Sequence, residues 1–126
     1  MTNATATRWA AGLGFLAVAL GAFGAHGLKP LLASYGTTEI WEKAVFYHFI
    51  HTVVLLVLAQ KSPVPRWPFL FFLAGIAVFS GSLYLLAVTN VRWLGAVTPF
   101  GGLSLLAGWV VVGWGTSQRQ PPTSKE

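Results

Sequence analysis

The stretch AVFYHFIHTVVLLVLA, residues 44–59, decides the fold. It carries no charged side chain, yet two histidines, His48 and His51, sit inside it. A helix apolar on every side is buried in a large core or in lipid. The whole chain points to lipid: it is 55% hydrophobic, 9% charged and has a mean hydropathy of +0.65. A soluble domain carries about 25% charged residues, so this composition cannot cover itself with a wet surface.

Working outward, three more apolar runs match the first in length. They predict an all-α, four-helix transmembrane bundle with helices at about 9–25, 39–59, 67–89 and 93–115. At roughly 1.5 Å of rise per residue these lengths suit a bilayer crossing. Residues 1–8 read as a polar leader and 116–126 as a disordered tail. Pro30 suits the first turn of a short helix that Gly36 would end. Pro63 and Pro65 mark a stiff turn, and Pro99 with Gly101 and Gly102 predicts a kink or unwound turn near the start of the fourth span.

Four crossings place both termini on one side. Arg8, Lys61, Arg66, Arg119 and Lys125 collect there, against Lys29, Lys43 and Arg92 opposite. The positive-inside rule then predicts cytoplasmic termini, in a bacterial cytoplasmic (inner) membrane. Trp9, Trp67 and Trp114 fall at the inner interface and Trp41 and Trp93 at the outer one, as an aromatic belt would. Trp109 lies deeper. The basic residues are scattered singly, so the net charge of +5 reads as topology and nucleic acid is not an expected partner.

Counting depth along each helix gathers the polar residues into one layer in the half remote from the termini. His48 lies about 10 Å below Trp41 and His51 about 15 Å. Ser80, Ser82 and Thr98 fall at similar depths, with Tyr47 and Tyr84 beside them and His26 where the first helix leaves the membrane. Small residues share the layer: Ala17, Gly21 and Ala25 on the first helix, Ala77 and Gly81 on the third, Ser104 and Gly108 on the fourth. Such stripes let helix backbones approach closely in lipid, where apolarity alone does not drive association.

Four ordered motifs carry a resemblance over roughly residues 10–115. They are Leu20-Gly21-Ala22-Phe23-Gly24-Ala25-His26-Gly27, Tyr47 to His51, Phe79-Ser80-Gly81-Ser82-Leu83-Tyr84, and Thr98-Pro99-Phe100-Gly101-Gly102 followed by Gly108-Trp109. Together they resemble the membrane protein family catalogued as domain of unknown function 423, which is similar to the transmembrane protein 256 group. The resemblance implies a four-helix integral membrane protein and brings no biochemical activity with it.

Two functional readings follow. In the first, His48 and His51 donate hydrogen bonds to Ser80, Ser82 or Thr98, and the protein is a non-enzymatic accessory, scaffold or assembly component. It then packs through its Gly/Ala stripes with itself or a larger membrane complex. In the second, the layer of His26, Tyr47, His48, His51, Ser80, Ser82, Tyr84 and Thr98 binds a small ligand, lipid or quinone, or handles protons. No cofactor is predicted, with a metal, haem or quinone kept as open alternatives. The absence of Cys excludes disulfides, thiolate metal sites and a Cys nucleophile, and the lack of any mid-membrane carboxylate argues against a di-iron bundle. A zinc hydrolase needs three ligands plus a base, and Glu42 is the only candidate for the base.

Overall fold

The computed structural model describes residues 1–117, so of the tail read at 116–126 the part from 118 on, with Arg119 and Lys125, lies outside the described residues, and Thr116 and Ser117 continue the last helix. Four helices are long and apolar enough to cross a membrane. We label the helices α1 (Asn3–Ala25), α2 (Lys29–Tyr35), α3 (Thr38–Ala59), α4 (Arg66–Thr89) and α5 (Thr98–Ser117). A 3₁₀ segment, Arg92–Ala96, precedes α5.

Helix α1 begins before the apolar run does. The Thr2 hydroxyl accepts from the Thr5 N–H, and the Asn3 side-chain amide donates to the Ala59 and Lys61 carbonyls at 2.8 and 2.9 Å. Residues 3–8, read from their polarity as a leader, are therefore helix. Polarity ends a membrane span without ending a helix whose cap and anchor are satisfied. Pro30 opens α2, where its missing N–H costs nothing, and Gly36, at φ +66°, closes it.

The bundle is not symmetric. Helices α3 and α4 form the centre, with 39% and 44% of their spanning windows buried, against 17% for α1 and for the last span. Helix α1 lies along α3, and α5 lies along α4. Ala6, Ala10, Ala17 and Gly24 are the buried residues of α1. Ala25, placed on the sequence stripe with Ala17 and Gly21, is exposed, because the contact face keeps to the seven-residue step from Ala17 to Gly24 and Ala25 lies about 80° around the helix from Ala17. A Cβ at Gly24 would strike the Trp41 indole, whose Nε1–H donates to the Leu20 carbonyl at 2.9 Å. Trp41 is thus a buried interhelical residue, 4% exposed, and not part of an interfacial belt.

Helix α4 contains a π turn at Ile76–Ser80. The turn absorbs one extra residue, so the face-to-sequence phase of the second α-helical piece is shifted by one position relative to the first. The first piece, Arg66–Gly75, packs on α5, and the second, Gly81–Thr89, packs on α3. The α4–α5 seam closes on three glycines. Cβ atoms there would meet Leu105 from Gly75, the Phe79 backbone from Gly101, and the Phe72 ring from Gly108. Ala77 is exposed and Gly81 has open space above it, so the expected Ala77–Gly81 stripe is not a seam. The π turn shifts their register.

The interruption expected near Pro99 is the 3₁₀ segment ahead of it. Pro99 itself occupies the first turn of α5, and Gly101 and Gly102 continue as regular helix. Their role is close approach to Phe79, not unwinding.

Candidate functional site

The polar layer resolves into three separate groups. In the first, His48 is 1% exposed, and its Nδ1 lies 3.0 Å from the Tyr84 hydroxyl. The Tyr84 ring meets Trp41 edge-on at 4.7 Å. His48 Nε2 is buried with no hydrogen-bond partner among the described residues.

The second group contains His51. Its Nδ1 is 2.7 Å from the Tyr47 carbonyl, which can only accept, so Nδ1 carries the proton. Its Nε2 is 3.1 Å from the Trp109 indole nitrogen, which can only donate. The two partners together fix one neutral tautomer and occupy both ring nitrogens. The Tyr47 and His51 rings stack at 5.9 Å, and Phe72 and Trp109 close around them. Beside this group runs a groove of about 430 Å³ between α3 and α5, floored by Phe79 of α4.

In the third group, Ser82 Oγ donates to the Phe79 carbonyl at 3.0 Å and so accepts from the Thr98 hydroxyl at 2.7 Å. Ser80 donates to the Ala44 carbonyl at 2.8 Å, and Ser104 to the Phe71 carbonyl at 2.7 Å. Thr37, just before α3, donates to the Ala87 carbonyl at 2.7 Å instead of capping its own helix.

The expected bonds from the histidines to Ser80, Ser82 or Thr98 do not form. Three residues apart, His48 and His51 differ by about 60° around α3, so one turns to α4 and the other to α5. His26 is exposed at the end of α1 and joins neither. Among the described residues no three His, Asp or Glu side chains gather as metal ligands do. The partners that sequence reasoning missed are Trp109, Phe79 and Gly24. All three stand in the motifs that carry the resemblance, but only Trp109 gave a further signal, as an indole placed away from either interface.

This geometry gives a direct expectation for His51. Replacing it with Phe strands the Trp109 N–H in hydrocarbon and should cost about 1 kcal/mol. A double-mutant cycle with Trp109→Phe, read by detergent unfolding, should return a coupling near 0.6 kcal/mol. Additive single effects would show that the bond contributes nothing.

The chain belongs to the family described as "Protein of unknown function (DUF423)", whose pattern matches residues 20–102. It is 46% identical over 101 residues to a UPF0382 membrane protein of Staphylococcus epidermidis, covering 77% of this chain and 82% of that one. It is 43% identical over 104 residues to the UPF0382 membrane protein YwdK of Bacillus subtilis, covering 77% and 83%. It is 40% identical over 119 residues to the UPF0382 inner membrane protein YgdD of Escherichia coli K12, covering 89% and 88%. No solved structure matches. With four spanning helices and these relatives, the protein is an integral membrane protein of the bacterial inner membrane.

Proposed function

We propose that this protein is a non-enzymatic accessory or assembly component of the inner membrane, with both termini cytoplasmic. One observation carries the reading: apart from His48 Nε2 and the Tyr47 hydroxyl, the mid-membrane side chains that would do chemistry are engaged in holding helices together. Ser80, Ser82, Thr98, Ser104 and His51 all bond within the chain. A hydroxyl donating to a helix carbonyl is no nucleophile without a base, and an imidazole with both nitrogens occupied is no open ligand.

The association surface differs from the one the stripes suggested. The small residues that pack, Ala17, Gly24, Gly101 and Gly108, face inward and are consumed by the bundle itself. What remains outward is the free face of α1, with Phe15 and Val18, and of α5, with Phe100, Leu103 and Val110. These faces flank the molecule on opposite edges of the α3–α4 centre and are where a second copy or a partner helix would lie.

The absence of native cysteine makes the test clean. Phe15→Cys and Leu103→Cys, introduced singly and treated with a bifunctional maleimide in native membranes, should each give a discrete cross-linked species. A stable monomer in mild detergent with no co-purifying protein, and no cross-link from either position, would overturn the reading.

A further inference from the structure

Tyr47, partly exposed on the wall of the groove between α3 and α5, carries a donor that the rest of the chain leaves unused. The Tyr47 hydroxyl has no hydrogen-bond partner among the described residues, while the other tyrosine of the layer, Tyr84, is bonded to His48. The depth makes this costly. The Tyr47 ring packs at 4.7 Å on Phe79, which lies roughly 15 Å of helix below Thr89. A phenol there has little water to bond, and an unmet polar group in hydrocarbon is strongly unfavourable.

The walls restrict what meets it. The groove has no charged residue: Phe46, Phe79, Trp109 and Leu105 line it, with Gly102 against the Phe79 ring. Phospholipid headgroups and ester carbonyls stay near the interface, and an acyl chain reaching this depth has no acceptor to give. The occupant needs a carbonyl carried deep on an apolar tail, no charge, and a flat face for the aromatic walls. We propose that the groove binds the ring of a lipophilic quinone, with the Tyr47 hydroxyl donating to a ring carbonyl. This proposal stands apart from the accessory role and survives its failure.

The test uses the full chain in phosphatidylcholine vesicles titrated with decylubiquinone, reading tryptophan fluorescence. The difference between the wild type and Trp109→Phe isolates the indole beside the groove. The Trp109 signal should quench saturably. Tyr47→Phe, which keeps the ring, should raise the half-saturating concentration about tenfold, consistent with one hydrogen bond. Gly102→Leu should fill the groove and leave only quenching linear in quinone. Linear quenching in the wild type, or a Tyr47→Phe curve that overlays it, would overturn the proposal. Saturating quenching of Trp109 by brominated phosphatidylcholine alone would do the same, because it would assign the groove to acyl chains.

Discussion

Gly101→Ala should destabilise the bundle by about 2 kcal/mol net, a large effect for one methyl group. A Cβ at this position would overlap the backbone nitrogen and Cα of Phe79, inside the π turn of α4. Side chains can rotate away from a clash, but this backbone cannot. It is held by Ser82 donating to the Phe79 carbonyl and by Ser80 donating to Ala44 on α3. Overpacking of this kind costs up to about 3 kcal/mol or more. The helix propensity of alanine over glycine returns about 1 kcal/mol. The controls are Gly12→Ala and Gly81→Ala, where an added Cβ meets nothing within 4 Å. Each should be neutral or stabilising by up to about 1 kcal/mol. Unfolding in a mixed-detergent titration compares the three. If Gly101→Ala matches the controls, the α4–α5 contact does not have the geometry described.

Gly24→Ala should cost about 2 kcal/mol by a different route. Here the obstacle is the Trp41 indole, a rigid side chain fixed between the Leu20 carbonyl and the Tyr84 ring. Making room means breaking the indole N–H bond in a buried setting and moving Tyr84, which carries His48 with it. Because one side chain causes the clash, a second substitution should relieve it. With Trp41→Leu present, Gly24→Ala should cost far less than it does alone, a coupling of at least about 1 kcal/mol between the pair. Additive effects would show that the added methyl is accommodated without touching the indole.

The spans were legible in the sequence because lipid imposes a length and a polarity that few other environments share. Rise per residue likewise gave each polar residue an expected depth. Rotation was not. The sequence stripe ran through Ala25, and the packed face runs through Gly24. Ala77 was read as a packing residue, and Gly75 packs instead. Each error is a matter of helical phase, and a single π turn in α4 shifts that phase in a way that no local pattern announces. The pairing of His51 with Trp109 was hidden for a related reason. Depth matched it with several hydroxyls, and only the rotation of α3 against α5 selects the indole.

The offset within α4 has a bearing on how the molecule sits in its two leaflets. The half before the π turn packs on α5 and also shares a core with α3 through Phe69, Phe72, Leu55 and Leu58, whereas the half after it leans mainly on α3. Deleting one residue between Ile76 and Ser80 would turn the π turn into an ordinary α turn, so both halves would keep the faces they now present to α5 and α3. Inserting one residue elsewhere in α4 would instead turn one half against the other by about 100°.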